Sequence, residues 1–478
     1  MKISIKTIGL ILGPALFFSI SNINNTEVLS PQGWDVLGVA AWMLTWWVTE
    51  SSPIAVTALL PIVIFPALGI FNITQASAPY SSPIIFLFMG GFFIALGLEE
   101  HGMHKRIALN LVKLIGTSAN GIILGFMLAT AFLSMWISNT AATIMMLPIA
   151  ATVVSLLNKT VDDPKKLNFF SLSLMLGIAY SANIGGMATI VGTPPNVVFV
   201  GYAQQLIGVD IDFSKWLIIG IPISGLLLLI TYLLLTKVLY RNNLGEISTA
   251  SQLIDAEVKK LGAMSREETM VTIIFSLTAS MWIFKLPINN LIGHTVLNDS
   301  ATALIGGILM FSVPKNFKNG FGLVPWEATK RMPWGILLLF GGGMSLAKAM
   351  ESTGLIQVIA DIVADNPMST VLVYIILIGS MLFLTELMSN VALATIYIPV
   401  VIGVANGLGI DPLLLSIPVA MAASCAFMMP ISTPPNAIVF SSGHIRVRQM
   451  IQAGFILNII SIIVLVAASF ILIHWVFG

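Results

Sequence analysis

Polar clusters that cut its apolar stretches in two constrain this chain more than any other feature. Apolar runs near 8–20, 34–48, 52–70, 83–100, 120–137, 141–157, 168–190, 197–207 and 214–240 fill the first half. Runs near 270–286, 299–313, 333–350, 370–386, 391–407, 412–429 and 450–476 fill the second. A helix that crosses a bilayer needs about 20 apolar residues. Several of these runs are shorter and meet at Ser, Thr, Asn or Pro with almost no loop between them. Such pairs read as re-entrant hairpins and broken helices. Charged residues are only 9% of the chain, where about 25% is usual in soluble domains. A water-facing surface cannot be built from so few, so the sequence specifies an all-α polytopic protein of the lipid bilayer.

The net charge of +1, with no basic run longer than two residues, excludes a phosphate-neutralising nucleic-acid binder. One cysteine, Cys425, excludes a disulfide framework and a Cys-based zinc site. Lys2 and Lys6 followed by Ile8–Ile20 read as an uncleaved first span. The charged interval from Arg241 to Thr269 reads as a solvated linker between two halves, 1–240 and 270–478. Its basic residues, with Lys2, Lys6, Lys105, Arg106 and Lys113, place the N-terminus and the linker in the cytoplasm by the positive-inside rule. The last span ends at His474-Trp475 without a basic flank, which fits an outside C-terminus.

The halves repeat each other. Phe88-Met89-Gly90-Gly91 with Glu99 returns as Phe340-Gly341-Gly342-Gly343 with Glu351, 252 residues on. Ser138-Asn139-Thr140 with Pro148 returns as Ser389-Asn390-Val391 with Pro399 at 251, and Thr193-Pro194-Pro195-Asn196 returns as Thr433-Pro434-Pro435-Asn436 at 240. Repeated halves with matching interruptions point to a transporter whose site lies where the interruptions meet.

A helix beginning after Asn139 presents free N–H groups and the positive end of its dipole, which can hold a carboxylate without any lysine or arginine. The oxygens of Ser134, Ser138 and Asn139 are hard donors suited to a small hard cation. One such tip alone is more often an ordinary N-cap; the second, Thr385…Ser389-Asn390-Val391, makes a site the better reading. The proline pairs, expected to break their helices, free carbonyls and N–H groups that a bilayer tolerates only inside protein or around a cavity. Glu386 adjoins the second tip and reads as a hydrogen-bonding support, with a proton site as the alternative. Lys348 reads as paired or snorkelling, Glu50, Lys285 and Asp299 as packing or interface charges, and His101 and His104 as a membrane-edge pair.

The run Ser424-x2-Phe427-x2-Pro430-Ile431-Ser432-x3-Asn436-x-Ile438-Val439 resembles the signature of the divalent anion/sodium symporters. Trp46-Trp47-Val48-Thr49-Glu50, Gly90-Gly91…Glu99…His104-Lys105-Arg106, both Ser-Asn tips and both Thr-Pro-Pro-Asn loops are similar to that family's. The resemblance covers residue 34 to the C-terminus. It implies two inverted repeats, about 11 transmembrane helices and a homodimer. It also implies an elevator motion of a transport domain (118–240 and 369–478) against a scaffold (1–117 and 270–368). One sodium site is implied at Ser134, Ser138, Asn139 and the Gly192 backbone, and a second at Thr385, Asn390 and the backbones of Met388 and Ser432. A dicarboxylate is implied at Ser138, Asn139, Thr140, Thr193, Ser389, Asn390, Val391 and Thr433. The expected activity is sodium symport of a C4 dicarboxylate such as succinate, fumarate or malate across the cytoplasmic membrane. The alternatives are a sodium-independent exchanger of the same family, or 2-oxoglutarate, citrate or sulfate as cargo. Enzymatic function is not expected: His-Glu-x-x-His and Gly-x-Ser-x-Gly are absent from the sequence.

Overall fold

The computed structural model describes residues 4–23, 27–116, 118–158, 161, 163–315, 322–365 and 368–477; Lys2 and the boundary residue Thr117 lie outside them. Among the described residues the secondary structure is helical, with one isolated bridge between Ser118 and Glu246. Among these residues six helices are long and apolar enough to cross a membrane, and a seventh if Arg266–Ile283 and Lys285–Ile292, bent by 72°, are counted as one span. The shorter apolar helices include arms of the interrupted pairs that the sequence marks.

The interruptions fall where the polar clusters are. Helix α1 (Ala119–Ser134) and α2 (Asn139–Leu157) pack against each other around a tip at 135–138. In the second half, α6 (Thr370–Leu384) and α7 (Asn390–Gly407) do the same around 385–389. Ser138 caps α2 by accepting from the Ala141 N–H, and Ser389 caps α7 by accepting from Ala392. The proline loops work differently from the sequence expectation. Pro194-Pro195 and Pro434-Pro435 do not break helices from within; each pair opens a new helix, α4 (Pro194–Tyr202) and α9 (Pro434–Ser441). The first helical turn leaves its N–H groups unpaired in any case, so proline costs nothing there. Helix α3 (Pro164–Gly186) ends before the first break, and α8 (Pro412–Ala422) before the second.

The repeats interlock. Helix α2, after the first tip, packs on α9, after the second proline loop, and α4 packs on α7. All four helix starts are thereby brought to one level. Around them Pro83–Glu100 packs along Asp299–Ser312, close enough that a Cβ on Gly90 would lie 2.5 Å from the Ala303 carbonyl carbon.

The interval 241–269 is not a plain solvated loop. Ser248–Leu261 is helix α5 and packs on both Met103–Ile115 and α2. Its charges are distributed on one face, so Leu253, Ile254 and Val258 remain to pack inward.

Candidate functional site

A cavity of about 660 Å³ lies where the two tips and the two proline loops meet. Ser138, Asn139, Thr140, Gly192, Thr193, Met388, Ser389, Asn390, Val391, Ser432 and Thr433 line it. Ser134 and Thr385 stand behind this wall, fully buried. The sequence-marked residues of both halves thus lie around one cavity, in a lining layer and a buried layer.

The starts of α2, α4, α7 and α9 all reach the cavity, through Asn139, Pro194, Asn390 and Pro434. Each helix start carries about +0.5 charge, so four bring about two positive charges before screening. That matches a dianion without a fixed cation in any tip or loop. The division of labour is chemical. Proline has no N–H, so the loops supply mainly dipole. The tips supply donors, because the N–H groups of Asn139, Thr140, Asn390 and Val391 have no intrahelical acceptor. Val391 loses nothing against Thr140 in this respect, since it offers the same backbone group.

Behind the first tip the geometry favours a cation. Ser134 Oγ and Asn139 Oδ1 are buried without a hydrogen-bond partner. A Cβ on Gly192 would sit 2.6 Å from the Gly186 carbonyl oxygen and 2.9 Å from that of Ser134. A Cβ on Gly186 would sit 2.7 Å from Asn139 Oδ1 and 3.1 Å from the Gly192 carbonyl oxygen. Carbonyl, amide and hydroxyl oxygens facing one small space are the donor set that a hard cation takes, although Asn139 Nδ2 also faces it and the Gly186 carbonyl accepts from Asn196 Nδ2 at 3.5 Å. Behind the second tip Thr385 Oγ1 lies 2.8 Å from Asn390 Oδ1 and 3.0 Å from the Ala423 carbonyl oxygen.

The asparagines of the two proline loops shape the breaks. Asn196 Nδ2 donates to the carbonyls of Met187 and Thr189 at 3.3 and 2.8 Å. Asn436 Nδ2 donates to those of Ala426 and Met429 at 3.0 and 3.1 Å. Each ties off carbonyls that its interrupted helix has released, and each has a buried Oδ1 without a partner. Glu386, also buried, supports the second break. Its carboxylate accepts from the backbone N–H groups of Phe427, Met428 and Met429 and from Asn458 Nδ2.

Other residues on the wall were not assigned to the site by sequence reasoning, although Ser424, Glu50 and Glu99 belong to the motifs it quoted. Asn183 and Ser424 line the cavity between the loops, and the repeat offset of 241 between them was the available signal. Glu50, read as a packing or interface charge, lines the cavity and pairs with Lys6 at 3.2 Å. Glu99 and Arg331 line it too, with Arg331 paired to Glu100. Lys285 and Asp299 are in contact at 2.9 Å, and Lys285 also pairs with Asp212. Lys348 lies over the Phe71 ring at 5.6 Å. His101 and His104 bond separately to the carbonyls of Leu323 and Leu98.

The family model of the sodium:sulfate symporter transmembrane region matches residues 5–477. A sodium-dependent dicarboxylate transporter, SdcS, of Staphylococcus saprophyticus is 38% identical over 485 residues, covering 99% of this chain and 92% of that protein. The SdcS of Staphylococcus aureus is 40% identical over 479 residues, with the same coverage. Among solved structures, the YdaH transporter of Alcanivorax borkumensis aligns with a TM-score of 0.60 at 15% identity, over 86% of this chain and 88% of that one. MtrF of Neisseria gonorrhoeae aligns with a TM-score of 0.54 at 11% identity, over 98% and 95%. The fold is therefore one that membrane transporters use.

Proposed function

The chain belongs to the family of the sodium:sulfate symporter transmembrane region, and from that membership we propose that it carries C4 dicarboxylates across the cytoplasmic membrane by sodium symport. The observation that carries the reading is the convergence of four helix starts on one cavity, backed by buried oxygens that lack donors. Relatives about 40% identical along nearly the whole chain bear the name of sodium-dependent dicarboxylate transporters, which supports the same cargo here.

The dicarboxylate lies between the tips, held by Ser138, Asn139, Thr140 and Thr193 on one side and Ser389, Asn390, Val391 and Thr433 on the other. Sodium is co-transported cargo. One ion is held by Ser134, Ser138, Asn139 and the Gly192 carbonyl. The other is held by Thr385, Asn390 and the backbones of Met388 and Ser432. A dianion at membrane depth is costly to bury without compensation. Bound sodium adds charge to that of the helix starts only when substrate is present, so ion and anion bind with positive, reciprocal coupling. Empty, the residues named for anion and sodium carry no formal charge, so the site returns without an ion to bury.

Eleven spans in two inverted repeats fit this mechanism. The transport domain (118–240 and 369–478) moves like an elevator against a scaffold (1–117 and 270–368) that pairs two copies into a homodimer. Glu99 and Arg331 line the cavity on the side where Pro83–Glu100 leads into Met103–Ile115, on which the linker helix packs. The basic residues of that side make it cytoplasmic, with the N-terminus inside and the C-terminus outside. This conformation is then the inward-open one.

Labelled succinate uptake into proteoliposomes tests the reading. An inward sodium gradient is expected to drive accumulation where potassium does not. Uptake that ignores sodium but requires internal dicarboxylate identifies an exchanger and removes the sodium assignments.

A further inference from the structure

Resting on that reading, we propose that Asn183 fixes the Thr433 hydroxyl as a donor aimed at a substrate carboxylate, which makes Asn183 a positioning residue for one end of the anion. Asn183 belongs to α3 of the first repeat and is buried. It reaches across to the second repeat, where its Nδ2 donates to the Ala426 carbonyl oxygen at 3.1 Å and to Thr433 Oγ1 at 3.2 Å. The carbonyl only accepts, so it decides which end of the amide faces the loop. Thr433 Oγ1 also accepts from the Asn436 backbone N–H at 3.4 Å. A hydroxyl has two lone pairs and one proton. With both lone pairs engaged by donors, Thr433 has only its proton to offer, and its side chain lines the cavity.

The equivalent threonine is arranged differently. Thr193 Oγ1 lies 3.3 Å from Ser424 Oγ, and either atom can donate. That pair adapts to an acceptor or a donor, whereas Thr433 faces an acceptor alone. The two ends of the substrate therefore meet unequal partners. The Thr433 end demands a carboxylate oxygen, and the Thr193–Ser424 end tolerates a hydroxyl-bearing carbon beside the second carboxylate.

The test is sodium-driven succinate uptake in proteoliposomes, normalised to reconstituted protein, with wild type, Asn183→Leu, Asn183→Ser, Thr433→Val, Thr433→Ser and the double variant Asn183→Leu/Thr433→Val. Loss of one hydrogen bond to a charged group is expected to raise KM about tenfold or more in Asn183→Leu and in Thr433→Val. The maximal rate and the half-saturating sodium concentration are expected to change much less. Thr433→Ser keeps the hydroxyl and is expected to raise KM much less than Thr433→Val does. In the double variant the effect of Asn183→Leu is expected to vanish, because the hydroxyl it orients is gone. Additive losses in the double variant, or an unchanged KM in Asn183→Leu, overturn the proposal. Should Asn183→Leu fail to assemble, Asn183→Ser, too short to reach Thr433, carries the same expectation and the same refutation. Wild-type protein that ignores the sodium gradient overturns the symport reading, and this proposal with it.

Discussion

At the scale of single residues, the site is built from groups whose partners come from the other half of the chain or from a broken helix. Glu386 shows what that demands. Its Oε1 accepts from Phe427 N at 2.7 Å, Met428 N at 2.9 Å and Asn458 Nδ2 at 2.8 Å, and its Oε2 accepts from Met429 N at 3.2 Å. Four donors engage this one buried carboxylate, which is the support role read from the sequence. Glu386→Gln keeps the shape but turns an NH2 group toward one of these donors. It is expected to cost about 2–3 kcal/mol, and Glu386→Ala, which orphans all four, more. Thermal unfolding in detergent measures this ordering. A Glu386→Gln protein of wild-type stability whose transport loses its pH dependence instead returns the proton-site reading. The tips and loops were legible in the sequence because each is a short contiguous motif that occurs twice. The Asn183–Thr433 bond was not, because its partners lie 250 residues apart and nothing local to either names the other.

At the scale of elements, the linker helix α5 is the part that sequence reasoning misjudged. Nine charges in a short interval resemble a solvated loop. The apolar positions Leu253, Ile254, Val258 and Leu261 nevertheless recur at helical spacing, and that was the missed signal. Ion pairs dock the helix: Lys113 to Asp255 at 2.8 Å and Lys105 to Glu257 at 3.7 Å. Arg106 anchors its end, bonding both oxygens of Glu268 and the carbonyls of Leu261 and Gly262. The Lys113 hydrogen bond holds the Asp255 carboxyl below its ordinary range, and Lys260, then Lys105, do the same for Glu257. A depressed folded-state pKa contributes stability that is present above the unfolded value and lost as pH falls through the folded one. Docking is therefore expected to be constant between about pH 5 and 8 and to weaken only below about pH 4. Limited proteolysis of the 261–265 connection reads this out. Arg106→Ala, which breaks a mostly buried bidentate pair, is expected to expose the connection at neutral pH at a cost of about 2–3 kcal/mol, whereas Lys113→Ala, at an exposed pair, is not. Equal sensitivity in both variants, or release already at pH 6, contradicts this account.

At the scale of the whole molecule, a charged cluster away from the cavity wall ties together the two parts of the chain proposed to move against each other. Asp212 precedes the helix that starts at Phe213, in the proposed transport domain, while Lys285 and Asp299 belong to the proposed scaffold. Lys285 is buried between the two carboxylates, and Asp299 also accepts from the Phe213 N–H at 2.9 Å. Phe213 in turn stacks on Trp282, with ring centroids 4.6 Å apart. In the proposed elevator motion, opening the cavity to the other side parts these contacts. Lys285→Met leaves the carboxylates unpaired only in the closed arrangement, since parting returns them to water. Breaking a buried pair in this way costs about 3 kcal/mol, which moves the balance between the two states by roughly 100-fold. Cys425 is the sole cysteine and is buried, so a Cys425→Ser background with Ile431→Cys, an exposed position on the cavity wall, reports which side the cavity faces. With the pair intact, a membrane-impermeant thiol reagent is expected to reach that position from the linker side. With Lys285→Met added, labelling is expected to shift to the opposite side. Labelling that stays on the linker side in the variant would mean that the cluster is a packing feature within one rigid body, and the division of the chain between Asp212 and Lys285 would have to be redrawn.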